Sequence, residues 1–286
     1  MKTVLEGKKK TVTIERGGPT VIVGERINPT GRKKLGEALL SGDMDYVRNE
    51  AIKQVEDGAD VIDINVGVAG GDEEKLLPMA VQAVSEVIDC PICIDSPHPT
   101  ALPKALEICP GRPLINSVNG EEASLARVLP LVKEFNTAVI GLTMDDEGIP
   151  TTAEKRFAIA EKIVNRAAQL GISAENILID CLALTVGADH QAALVTLEAI
   201  HRVSTELGVN TALGASNISF GLPDRETINE LFLAMAIQAG LTCAIVHPGK
   251  AKRGIMVVDM LLGRDEFAMN YIKYHRAQEK KAAANA

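Results

Sequence analysis

Short, β-branched apolar runs recur along the chain at residues 20–24, 60–66, 92–95, 113–116, 137–142, 176–180, 211–214 and 242–246. They are continuous rather than alternating, the pattern of strands buried on both faces in a parallel sheet. Between them apolar residues return at helical spacing: Val47, Ala51 and Val55; Leu125, Leu129 and Val132; Ile228, Phe232 and Met235. Eight strand-helix alternations, in a chain near the ~250 residues typical of the architecture, predict an α/β fold that is a single (β/α)8 TIM barrel. A doubly wound open sheet is the competing architecture. Its dinucleotide-binding form needs a Gly-rich first turn, and Gly24-Glu25-Arg26-Ile27-Asn28 does not supply G-x-G-x-x-G. The barrel is expected over residues 19–265. Residues 1–18 read as an added arm or hairpin, with β-branched residues at 11–14 and a turn at Gly17-Gly18. Residues 266–286 read as a C-terminal helix and tail, frayed from His275 onward, where Lys and Ala dominate without an apolar face.

Composition narrows the function classes. The 286 residues are 46% hydrophobic, enough for a large single core, and the net charge of -8 repels nucleic acid and anionic lipid. Aromatics make up 3% with no Trp, which leaves few stacking platforms for sugars or single strands. No run reaches the ~20 apolar residues of a membrane span, and residues 1–16 lack the apolar stretch of a secretory signal. A cytoplasmic protein is expected. The five cysteines are too few for a disulfide framework, and the Cys90/Cys93 pair reads as buried hydrophobes more than as half a metal site.

Active sites of such barrels sit at the C-terminal ends of the strands. There the chain places Glu25 and Asn28, Asp63 and Asn65, Asp95, Asn116 and Asn119, Asp180, and Asn217. One such residue is an ordinary helix cap or Asx turn. Six strand ends carrying carboxylates or carboxamides around one mouth exceed what capping demands. Carboxylates accept paired N–H donors and amides both donate and accept, which suits the edge of a pterin or purine. An oxygen-ligand Mg²⁺ or Ca²⁺ site is the competing use, though no metal-ligand loop accompanies these residues. The five scattered histidines and the lack of G-x-S-x-G disfavour zinc and serine-nucleophile chemistry. A basic loop at 250–253 after the last run keeps a phosphosugar lyase or isomerase open, but no strand ends in the Lys that Schiff-base chemistry needs.

The motifs Gly24-Glu25-Arg26-Ile27-Asn28, Asp63-Ile64-Asn65-Val66-Gly67, Ile94-Asp95-Ser96, Ile115-Asn116-Ser117-Val118-Asn119, Gly141-Leu142-Thr143-Met144 and Gly214-Ala215-Ser216-Asn217-Ile218-Ser219-Phe220-Gly221 resemble the pterin-binding family. More narrowly they are similar to methyltetrahydrofolate:corrinoid protein methyltransferases and the folate domain of cobalamin-dependent methionine synthase. That resemblance implies a homodimeric barrel that moves a methyl group between N5 of tetrahydrofolate and the cobalt of a corrinoid (cobalamin) carried by a partner protein. It implies Asp95, Asn116 and Asp180 as ligands of the pterin edge, Asn217 as the catalytic residue near N5, and Arg225 at the rim. Glu25, Asp63 and Asn65 are further candidates for substrate binding, and no metal is implied. Dihydropteroate synthase is the rival within the family. It resembles a pattern of Asn-x-Thr-Pro-Asp-Ser-Phe-Ser after the first strand and Arg-x-His after the last, where this chain has Asn28-Pro29-Thr30-Gly31-Arg32 and Val246-His247-Pro248-Gly249. A noncatalytic folate-binding module is the third reading.

Overall fold

The computed structural model describes residues 1–284. Strands β1 (Lys2–Glu6) and β2 (Thr11–Glu15) form an antiparallel hairpin. Eight parallel strands follow: β3 (Val21–Ile27), β4 (Val61–Ile64), β5 (Ile92–Asp95), β6 (Leu114–Asn119), β7 (Ala138–Leu142), β8 (Ile177–Asp180), β9 (Asn210–Gly214) and β10 (Cys243–Val246). They close in sequence order, β10 pairing with β3, into the (β/α)8 barrel. The helices are α1 (Lys33–Ser41), α2 (Met44–Glu56), α3 (Glu73–Val87), α4 (Ala101–Ile108), α5 (Glu122–Glu134), α6 (Ala153–Gln169), α7 (Ala192–Arg202), α8 (Arg225–Ala239), α9 (Pro248–Leu261) and α10 (Met269–Ala284).

Each apolar run divides between two cores by the period-two geometry of a strand. Ile22, Ile62, Ile94, Ile115, Val139 and Ile179 pack outward against the helices. Their neighbours Val21, Val23, Val61, Cys93, Leu114, Ile140 and Leu178 fill the lumen. Following the lumen rows two residues toward the strand C-termini gives Glu25, Asp63, Asp95, Asn116 and Asp180. The same alternation that builds the lumen core therefore aims these side chains at one mouth.

The opposite end of the barrel is plugged. Leu5 and Ile14 of the hairpin are fully buried in the lumen cluster. Asn210 Nδ2 donates to Thr3 Oγ1 at 2.9 Å and to the Ile14 carbonyl at 2.8 Å, and Arg112 Nη1 donates to the Val4 carbonyl at 2.7 Å. The hairpin thus closes the lumen at the strand N-terminal end.

The structure corrects four details of the sequence reading. The arm contains a first strand, β1, whose polar flanks hid it, and Gly17-Gly18 turns from β2 into the barrel rather than within the hairpin. On α8 the buried residues are Phe232, Leu233, Ala236 and Ile237, whereas Met235 is 51% exposed, so the inward face is rotated from the 228/232/235 stripe. The basic segment 250–253 lies in the first two turns of α9 and not in a loop, because Pro248 at the helix start favours a helical entry. The tail expected to fray from His275 continues α10 to Ala284, in keeping with its Ala, Lys and Glu content; residues 285–286 of that tail lie outside the described residues.

Candidate active site

Two hydrogen-bonded pairs line one side of the mouth. Asn65 Nδ2 donates to Asp95 Oδ2 at 2.9 Å, and Asn116 Nδ2 donates to Asp63 Oδ1 at 3.3 Å. Because β4, β5 and β6 are adjacent, the register Asp63↔Cys93 and Asp95↔Asn116 sets these four side chains in one cluster. Across the lumen Asp180 accepts from the backbone N–H groups of Leu182 at 2.7 Å and Gly214 at 3.2 Å. Glu25 Oε1 accepts from Ser216 Oγ at 3.2 Å. Two other strand-end residues have local duties. Asn28 Oδ1 accepts from Thr30 N–H and Asn119 Oδ1 from Glu121 N–H, both as Asx turns.

Burial dominates the electrostatics. It pushes Asp180 up to about 6 against the pull of its two backbone donors, and Asp95 up to about 6 against the Asn65 amide. Asp63 is driven well above the usual carboxylate range by burial and then by the Asp95 charge. Of that pair, Asp63 is the member that keeps its proton and Asp95 the member that carries charge. Burial also raises Glu25. Among the described residues, no group of three or more His, Cys, Asp or Glu is arranged to hold a metal ion. Cys90 and Cys93 are both buried, Cys93 in the lumen and Cys90 in the outer core, and burial raises both thiols.

Asn217 is exposed, on the short turn Ala215–Ser219 that follows β9. Gly214 continues the lumen row of Ala212, and a Cβ there would lie 3.4 Å from Asn217 Nδ2. A methyl group at Gly214 would therefore only touch the Asn217 amide. Arg225, expected at the rim, braces this turn instead of standing free. Its Nη2 donates to the Ser216 carbonyl at 2.9 Å and its Nε to Ser219 Oγ at 3.0 Å.

Supporting residues escaped sequence reasoning. Gln54 is 2% exposed on α2, and its Oε1 accepts from the Arg26 N–H at 2.8 Å, beside the register shift that presents Glu25. A Cβ on Gly24 would meet that oxygen at 2.5 Å, so Gly24 is what lets Gln54 approach. Arg156, 1% exposed on α6, holds the loop after Asp180. Both are polar residues on surface helices, with no pattern to mark them.

A family model described as pterin binding enzyme matches residues 24–247. The chain is 30% identical over 266 residues to a methylcorrinoid:tetrahydrofolate methyltransferase of Eubacterium limosum, covering 90% of this chain and 96% of that protein. It is 35% identical over 243 residues to the methionine synthase of Mycobacterium tuberculosis, covering 80% of this chain but only 20% of that longer protein. Among solved structures, a dihydropteroate synthase of Xanthomonas albilineans shares the fold with a TM-score of 0.69 at 19% identity, covering 91% of this chain and 98% of that one.

Proposed function

Because the chain belongs to the pterin-binding enzyme family, we propose that it is a methyltransferase moving a methyl group between N5 of tetrahydrofolate and the cobalt of a corrinoid carried by a separate protein. The observation that carries this reading is the convergence of Asp95, Asn116 and Asp180 at lumen-facing strand ends, with Asn217 on the turn that follows β9. Charged acceptors and a carboxamide match the amino and lactam edge of a pterin. Asn217 then lies toward the mouth, where N5 must meet a methyl group arriving from solvent. When N5 loses its methyl group to cobalt(I), the amine is a leaving group that gains a proton. An amide cannot supply that proton, which comes from solvent, but it can stabilise the protonated centre. The reverse transfer uses the same contacts.

The dihydropteroate synthase alternative needs free groups for a diphosphate after the last strand. Here the chain has Val246-His247-Pro248-Gly249 after β10, without the Arg-x-His of that enzyme. The reading extends to a cytoplasmic homodimer, with Leu194 on α7 and Leu231 and Met235 on α8, all more than half exposed, as its apolar contact face.

Loss of the methylcobalamin spectrum on adding tetrahydrofolate and catalytic protein tests the reaction. Calorimetry with 5-methyltetrahydrofolate tests the site: binding should survive EDTA, and binding that vanished with EDTA and returned with Mg²⁺ would replace this reading with an oxygen-ligand metal site.

Phe220 offers a test of corrinoid access. The residue is 68% exposed, while Thr185 Oγ1 donates to its carbonyl at 2.7 Å and its N–H donates to the Asn217 carbonyl at 3.1 Å. The Arg225 guanidinium carbon lies 5.9 Å from the ring centre. Such a fixed apolar face beside Asn217 suits contact with a corrin ring. Phe220→Ser should slow transfer from a protein-bound methylcorrinoid several-fold and leave 5-methyltetrahydrofolate affinity unchanged in calorimetry.

A further inference from the structure

Arg156 is a buried cation with no carboxylate partner within ion-pair distance among the described residues. Its donors meet neutral oxygens instead. Nη1 reaches the carbonyls of Cys181 at 2.7 Å and Leu182 at 2.6 Å and the Thr196 hydroxyl at 3.1 Å, and Nε reaches the Pro150 carbonyl at 2.9 Å. Leu182 has a φ of 57°, a left-handed conformation that residues with a Cβ rarely adopt. That conformation turns its carbonyl back to Arg156 while its N–H donates to Asp180 Oδ1. A desolvated guanidinium without a counterion is expensive in a fold. Its location behind a loop that orients one carboxylate indicates a role at that carboxylate.

We propose that Arg156 is a positioning residue for the folate site, gripping the two carbonyls after Asp180 so that the Leu182 N–H fixes the carboxylate, and lending it the field of a buried positive charge. The proposal rests on the reading of Asp180 as a pterin ligand. The groups facing Asp180 are Arg156 from α6, Cys181 beside it and Cys243 of β10, two strands along the barrel, and Asp189 faces Arg156 from the loop before α7. Burial raises both thiols, so Arg156 is the cation that opposes the upward push of burial on Asp180.

The test is the affinity for 5-methyltetrahydrofolate as a function of pH, alongside thermal melts. Burial holds both Asp180 and Asp95 near 6, so affinity carried by the two ionised carboxylates falls as pH drops through that value, giving an acid limb of which Asp180 supplies one step. Removing the cation in Arg156→Met should move that step to higher pH by about half a unit to a unit. Arg156→Lys keeps the charge but cannot span all the carbonyls, so it should lower affinity several-fold with the limb near its original place. Thr196→Val, which removes one brace and keeps both the charge and the side-chain shape, should do the same more weakly. In an Asp180→Asn background, Arg156→Lys should have no further effect on affinity, because the two act as one unit. Asp180→Asn with wild-type affinity would sink the reading of Asp180 itself. An Asp180→Asn that loses affinity beside an Arg156→Lys that matches wild type in affinity and limb would overturn the role of Arg156 alone. Where Arg156→Met does not fold, the Lys variant and the double-variant comparison decide the question.

Discussion

Asn217→Ala should lower kcat for methyl transfer about a hundredfold, the scale seen when a single preorganised donor to a developing charge is removed, while 5-methyltetrahydrofolate affinity falls far less. The difference follows from when the hydrogen bond matters. Bound substrate presents a tertiary amine to the amide, a modest contact. As the methyl group leaves, N5 takes on the charge of a departing amine and its proton, and an interaction that strengthens only then acts on kcat rather than KM. The structure gives the amide freedom to serve in this way. Asn217 is exposed on a turn braced by Arg225. Asn217→Asp keeps the size and an acceptor for a protonated N5, so partial activity with an altered pH profile is expected. Single-turnover transfer with methylcobalamin and equilibrium titration of folate separate the two effects. Unchanged kcat with a raised KM in Asn217→Ala would make Asn217 a binding residue, and the electrophilic help would have to come from another group in the mouth.

The barrel was legible because its strands carry their signal locally. Runs such as 92–95 and 176–180 are rich in Ile, apolar and ended by Asp; β5 (Ile92–Asp95) matches the first, and β8 (Ile177–Asp180) starts one residue inside the second. The lumen row of the site could be read for the same reason: Asp95 follows Cys93 and Asp180 follows Leu178 by two residues, a spacing that only one strand geometry explains. What links those side chains was not legible. The Asn65–Asp95 and Asn116–Asp63 bonds depend on strand register, which sequence spacing leaves open. Arg225 illustrates the limit. Its charge at the rim suggests a ligand contact, and only the fold adds that its Nε and Nη2 brace Ser219 and Ser216. Strand β1 was missed because its inward residues, Thr3 and Leu5, are flanked by exposed Lys2 and Glu6, and its burial depends on capping a barrel built much later in the chain.

Asp95→Asn should make the ligand-free protein more stable at neutral pH and weaken 5-methyltetrahydrofolate binding about 10- to 150-fold, the loss of one charge-assisted contact of roughly 1.5 to 3 kcal/mol. Burial holds Asp95 near 6 in the folded protein, above its ordinary value of 3.8. Between those two values the folded state binds more protons than the unfolded one, so stability falls as pH rises from about 4 to about 6 and stays reduced above that. Nothing is lost below 4, where both states are protonated. At neutral pH the penalty is on the order of 2 kcal/mol after allowing for incomplete burial. Asn removes it and still offers Asn65 an acceptor oxygen at the same place, so that bond survives. The change also relieves Asp63, which the Asp95 charge pushes upward. Thermal melts should therefore show a gain of several degrees at pH 7 that vanishes near pH 4, with folate titration showing the matching loss. A variant that binds folate as tightly as wild type would reduce Asp95 to a structural acceptor for Asn65. A variant that binds weakly without any neutral-pH gain would mean that the Asp95 charge is better solvated in the open mouth than its burial implies. The expected pairing, greater stability with lost binding, places Asp95 among groups held in an unfavourable state by the fold until a ligand with paired N–H donors neutralises the cost.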